Sequence, residues 1–237
     1  MNSEIGILAF SALSIGFLHT LFGPDHYIPF IAMAKAGKWS KKKTIWVTAL
    51  SGLGHVVGSI VLGLLGVALG VALNIVEGIE AYRGTIAGWA LISFGLIYFL
   101  WAVRRLIKNK AHTHEHEHSD GSTHSHFHSH KLEHTHIHKN GDSANITPWI
   151  LFVIFVLGPC EALIPLLIYP AANVSVSGII IVILLFAIAT IATMVGMVLI
   201  SIYGFSFVSF QKFEKYSHVS AGLIIMLSGL GIQLLGL

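Results

Sequence analysis

The sequence predicts an all-α, polytopic integral membrane protein. Composition, the length of the apolar runs and the placement of charge all point there. Of 237 residues, 54% are hydrophobic and only 11% are charged, with a mean hydropathy of +0.78. Soluble domains carry about 25% charged residues, which sets aside a large soluble helical core. One cysteine, Cys160, excludes an intrachain disulfide.

A spanning helix needs about 20 mostly apolar residues. Six regions qualify: 4–34, 45–73, 83–106, 147–170, 176–204 and 217–237. The first would reach about 45 Å as one straight helix, so a break is expected near Gly23-Pro24. The amino-terminal stretch lacks the basic residues that open a secretory signal, and is expected to be a retained first span. Basic residues are distributed unevenly. Lys35, Lys38, Lys41, Lys42 and Lys43 fall between spans 1 and 2. Arg104, Arg105, Lys108, Lys110, Lys131 and Lys139 fall between spans 3 and 4, and Lys212 and Lys215 between spans 5 and 6. Only Arg83 is assigned to the opposite side. The positive-inside rule then places those three loops in the cytoplasm and both termini outside, in the cell (inner) membrane.

The two halves echo one another. Gly23–Pro29 reads "GPDHYIP" and Gly158–Pro165 reads "GPCEALIP", 135 residues apart. Ala87-Gly88 with Gly95-Leu96 recurs as Ala221-Gly222 with Gly229-Leu230, 134 residues apart. Three spans per half put the halves in opposite orientations. The expectation is six transmembrane helices as an inverted 3+3 repeat, with helices 1 and 4 broken. Residues 1–106 form the first repeat, 107–145 a cytoplasmic loop and 146–237 the second repeat. In many transporters such interrupted helices carry the binding site at the repeat interface.

Proline has no backbone N–H and displaces the carbonyl four residues earlier. Pro24, Pro29, Pro159 and Pro165 would thereby free the carbonyls of Thr20, Asp25, Phe155 and Glu161. Asp25 and Glu161 are the acidic residues read as lying well within apolar spans, with no basic neighbour in the sequence. An intramembrane carboxylate costs about 2.5–3.5 kcal/mol on insertion scales; two of them suggest a mobile cation or a proton. His19, His26 and His55 add imidazoles, the last in "SGLGHVVGS", where Gly54 and Gly58 permit close helix approach. Imidazole with carboxylate favours a borderline first-row transition metal. The candidate ligands are His19, Asp25, His26, His55, Glu161 and Cys160, the last the weakest because buried cysteine usually acts as a small apolar residue.

Residues 112–138 read "HTHEHEHSDGSTHSHFHSHKLEHTHIH". Eleven of the fifteen histidines are here: His112, His114, His116, His118, His124, His126, His128, His130, His134, His136 and His138. With little apolar content the tract is expected to be disordered without a ligand. Histidine tracts read as accessory metal-binding segments, and an imidazole with a pKa near about 6.5 is mostly neutral at cytoplasmic pH.

"LHTLFGPDH" (Leu18–His26), "GHVVGS" (Gly54–Ser59), the histidine tract and "LGPCEALIPLL" (Leu157–Leu167) together resemble nickel/cobalt transporters of the NicO group, across essentially the whole chain. The tract is similar to the efflux branch. The His…Asp-His pattern also resembles the nickel/cobalt permease signature, with five residues rather than four between His19 and Asp25. The resemblance implies metal handling by His19, Asp25, His26 and His55. Pro159-Cys160 resembles related membrane thiol-disulfide electron-transfer proteins, but a single cysteine cannot run an intramolecular dithiol relay. The expected function is efflux of a divalent metal, nickel or cobalt, from the cytoplasm with proton exchange. Uptake, or delivery of metal to an enzyme by an accessory protein, is the alternative. The chain is expected to be no enzyme, with no tightly bound cofactor and no nucleic-acid partner. Its expected partners are divalent metal ions and the lipid bilayer, with a second copy of the chain or a cytoplasmic metal donor left open.

Overall fold

The computed structural model describes residues 2–108, 112–117, 123–128, 146–172, 176–206 and 215–235. The fold is helical. Helix α1 (Asn2–Phe22) ends at Gly23, a 3-10 turn follows at Pro24–His26, and α2 (Ile28–Ala36) continues the first broken segment. Helix α3 (Lys41–Ala68) starts at an N-cap, where Ser40 Oγ accepts the Lys43 amide at 3.2 Å. It ends at Gly70, whose φ of +61° is left-handed and suits glycine. Helix α4 (Leu73–Lys108) follows. The second broken segment is α5 (Thr147–Leu157) and α6 (Leu163–Ala172). Helices α7 (Val176–Ser206) and α8 (Ser217–Leu235) complete the bundle.

Five of these helices, α1, α3, α4, α7 and α8, are long and apolar enough to cross a bilayer. The expected fourth span is two short helices, neither of that length. Large apolar side chains such as Phe10, Trp46, Trp89 and Ile200 point outward and are exposed, as a lipid-facing surface requires.

Both breaks fall at the two Gly-Pro pairs, but the prolines act differently from expectation. Pro29 is the second residue of α2 and Pro165 the third of α6. In a first turn the missing N–H has no intrahelical acceptor to lose. These prolines start half-helices rather than kink continuous ones. Two of the carbonyls expected to be freed are in fact paired: Phe155 O accepts the Gly158 amide at 3.1 Å, and Glu161 O accepts the Ile164 amide at 3.2 Å.

Helix α4 begins ten residues before the expected third span and carries Glu80 and Arg83 inside it. Arg83 is therefore not a loop residue. The histidine tract also departs from expectation. His112–Glu117 (β1) and Thr123–His128 (β2) pair as an antiparallel ribbon. Strict His-x-His alternation has the period of a strand, which the disorder reading overlooked. His112, His114 and His116 stand at register positions opposite His128, His126 and His124. His118, His130, His134, His136 and His138 lie outside the described residues.

Packing crosses between the halves. Helix α1 lies on α7, and α5 lies on α3. Helices α4 and α8 pack along their lengths through glycine. A Cβ on Gly229 would lie 2.8 Å from Gly88 O, and one on Gly222 would lie 2.5 Å from Phe99 N. Such backbone-to-backbone approach is what small residues allow in membrane helices. One core cluster gathers Phe30, Met33, Leu91, Phe155, Met194 and Ile225; another gathers Ala12, Val56, Cys160, Leu163, Val182 and Phe186.

Candidate metal centre

Three of the predicted residues converge. His19 lies in the last turn of α1, His26 in the 3-10 turn and His55 midway along α3. The His19 and His26 rings are 4.8 Å apart at 81°, and the His26 and His55 rings 5.0 Å apart at 88°. One nitrogen from each can be chosen so that all lie within 4.8 Å of one another. Nitrogens on a metal at about 2.0–2.1 Å in tetrahedral geometry lie about 3.3 Å apart. The cluster is thus slightly open, within reach of closure by small ring movements.

His26 and His55 are buried and His19 half-buried. His26 Nδ1 faces two acceptors, Gly23 O at 3.0 Å and Asp25 Oδ1 at 3.2 Å. Facing only acceptors, Nδ1 carries the ring proton, which leaves the lone pair on Nε2. Among the described residues, His26 Nε2, His19 Nε2 and both nitrogens of His55 are buried without a hydrogen-bond partner. Buried polar atoms are almost always paired, and a group of exceptions calls for an explanation. One unpartnered nitrogen from each of the three rings gives the cluster the chemistry of a site for a borderline transition metal.

Asp25 belongs to this arrangement through His26. A carboxylate on the far nitrogen of a ligating histidine fixes its tautomer and raises its basicity. Gly23 makes the turn possible, since a Cβ there would lie 2.5 Å from His26 Nδ1 and 3.0 Å from His19 O. Gly54 lets α5 approach α3; its Cβ would lie 2.5 Å from Val156 Cγ2. Gly158 then abuts His55, 3.1 Å from Nδ1 by the same construction.

The other two predicted ligands lie elsewhere. Glu161 is exposed and lines a cavity that His19, His26 and His55 also line, but is not among the clustered donors. Cys160 is fully buried in the apolar cluster of Ala12, Val56 and Leu163. Its backbone, not its thiol, carries the polar contact: the Cys160 amide donates to Ser59 Oγ at 3.0 Å and Glu80 Oε2 at 3.1 Å.

That contact belongs to a network sequence reasoning missed. Arg83 Nη1 donates to Glu80 Oε1 at 2.5 Å, and Nη2 donates to Val156 O at 2.9 Å and Gly158 O at 3.3 Å. Ser59 Oγ donates to Glu80 Oε2 at 3.1 Å. Glu80 is wholly buried. The second break is thus tied down by a resident ion pair, whereas the first carries the histidines. Glu80 and Arg83 are spaced i, i+3, a pairing signal within "VEGIEAYRG" that an earlier helix start would have revealed.

A cavity of about 570 Å³ reaches the cluster, lined by His19, Asp25, His26 and His55, by Ala81, Gly84 and Thr85 of α4, and by Glu161 and Gln233. The chain matches no family model, no curated protein and no solved structure.

Proposed function

We propose that this protein is a membrane transporter of a divalent first-row transition metal, with the ion held by His19, His26 and His55 and with Asp25 acting through His26. The observation that carries this reading is the set of three clustered histidines, each with a buried, unpartnered ring nitrogen, lining a cavity inside a bundle of apolar helices. One ion would take one nitrogen from each of the three rings. Glu161 on the cavity wall supplies a carboxylate on the approach, suited to attracting a cation or carrying a proton.

The six-span, inverted-repeat reading is supported by the cross-packing of the halves. Gly88 meets Gly229, and Gly95 meets Gly222. Under the 134-residue offset these are the same contact seen from either half, as a two-fold axis demands. Alternating access by rocking one half on the other fits this plan. Nickel or cobalt is favoured by the resemblance of the two Gly-Pro motifs and "GHVVGS" to the NicO group. Export from the cytoplasm, with proton exchange, is favoured by the histidine tract on the lysine- and arginine-rich side.

The test is Ni²⁺ and Co²⁺ flux by the purified protein in sealed vesicles. Flux is expected in the native protein and not in His26→Ala or His55→Ala. Binding that survives without any vectorial flux would instead identify an accessory metal-delivery protein.

A further inference from the structure

Helix α3 carries a second feature. Thr44, Thr48, Ser51, His55 and Ser59 are spaced by four, three, four and four residues, and all are buried along α3. The spacing keeps them on a single helix face. The stripe runs from the first turn of α3 for about 22 Å. Its two ends are accounted for: Thr44 Oγ1 donates to Ser40 O at 3.0 Å, and Ser59 Oγ belongs to the Glu80 network. His55 is the candidate ligand.

Thr48 and Ser51 have no such explanation. Both are wholly buried, and neither hydroxyl has a partner among the described residues. Thr190, on α7, is a third wholly buried hydroxyl in the same condition; α7 packs on α3. The usual fate of a serine or threonine in an apolar helix is a bond to the carbonyl four residues back. Thr193 and Ser201 on α7 make that bond, to Ala189 O at 2.7 Å and Met197 O at 2.8 Å. Thr48, Ser51 and Thr190 do not.

Their place along α3 gives them a use. The cavity touches α3 only at His55. Its other walls include Ala81, Gly84 and Thr85, in the part of α4 nearer the α3–α4 turn. Thr48 and Ser51 lie on the opposite side of His55, toward the α2–α3 turn. The cavity does not include them. Phe155, on the cavity wall, packs against the buried Phe30 with ring centroids 4.5 Å apart.

We infer that Thr48, Ser51 and Thr190 line the second access path for the metal ion, from the histidine cluster toward the α2–α3 turn, closed in this structure by the Phe30–Phe155 pair. Hydroxyl oxygens can accept from the hydration shell of a divalent cation and weakly replace part of it, which suits passage rather than retention. When Phe30 and Phe155 part, the hydroxyls gain water or the hydrated ion as partners.

This inference rests on the transport reading, and a two-sided labelling experiment separates the two. In sealed vesicles, Thr85→Cys and Ser51→Cys proteins are treated on each side with a small, cationic, membrane-impermeant thiol reagent, with and without Ni²⁺. The native chain, whose one cysteine is buried, is the control. The expected result is that Thr85→Cys reacts from one side and Ser51→Cys from the other, with Ni²⁺ slowing the latter. In parallel, Thr48→Val/Ser51→Ala is expected to lose about tenfold in Ni²⁺ flux, equivalent to about 1.4 kcal/mol. Its equilibrium Ni²⁺ affinity should stay within about threefold of native, or about 0.7 kcal/mol. Reaction of both cysteines from the same side, failure of Ser51→Cys to react from either side, or native flux in the double variant would overturn the path while leaving the histidine site standing. Absence of Ni²⁺ binding by the native chain would bring down the transport reading itself.

Discussion

At the scale of single residues, His26 and Asp25 have separable roles. His26 offers Nε2 to the cluster, and Asp25 holds the proton on Nδ1. His26→Ala should abolish Ni²⁺ binding by calorimetry. Asp25→Asn keeps a polar group of the same shape but loses the charge, so affinity should fall about 10–100-fold, as when a partner of a ligating histidine is removed. Equal losses in the two variants would make Asp25 a ligand in its own right. Sequence reading singled out His19, Asp25, His26 and His55 because histidine and aspartate are conspicuous among apolar neighbours, and the structure brings the three histidines together. It could not separate candidate ligands from the group that orients them, since that distinction is set by which ring nitrogen faces which atom. It also counted Cys160 and Glu161 in, because adjacency to a Gly-Pro break does not reveal which side chains turn toward the other half.

At the scale of elements, the breaks were legible and their fastening was not. Gly-Pro pairs advertise a helix interruption in any context. The Glu80–Arg83 pair looked like the charged flank of a span, because charge is the usual sign that a helix has left the membrane. Internal pairing removes that rule, and α4 continues through both residues. Breaking a buried pair by removing one partner costs about 3–5 kcal/mol, while removing both costs much less. Glu80→Gln and Arg83→Gln should therefore each lower thermal stability more than the double variant does, and a double variant no better than the worse single would argue against a paired role. The glycine contacts of α4 and α8 give a second test. A Cβ on Gly222 would meet the Phe99 backbone, which cannot yield as a side chain can, so Gly222→Ala should destabilise by about 1–3 kcal/mol or more. Gly196, with nothing within 4 Å of an added Cβ, is the control; Gly196→Ala should be neutral or stabilising by up to about 1 kcal/mol.

At the scale of the whole molecule, the proposed transport would take its direction from whichever force drives the ion. A membrane potential of 100 mV, negative inside, is worth about 2.3 kcal/mol per charge, so about 4.6 kcal/mol for a divalent ion. That corresponds to an accumulation of about a thousandfold or more on the negative side. Uptake could run on the potential alone, whereas export must overcome it. Metal binding to imidazole displaces protons, so protons entering through the cavity from the acidic side would compete the ion off His19, His26 and His55 there. An exporter built on this cluster should move Ni²⁺ against an imposed potential only while an opposing proton gradient is maintained. Collapsing the gradient with a protonophore in vesicles should stop or reverse the flux. On the proposed reading the histidine tract would bear on supply, not on this exchange. Deleting residues 112–138 should therefore raise the metal concentration needed for half-maximal flux while leaving maximal flux and its proton dependence in place. Maximal flux that vanishes with the deletion would move the transport site out of the helices and into the tract. Flux that follows the potential and ignores the proton gradient would make the same cluster an uptake site.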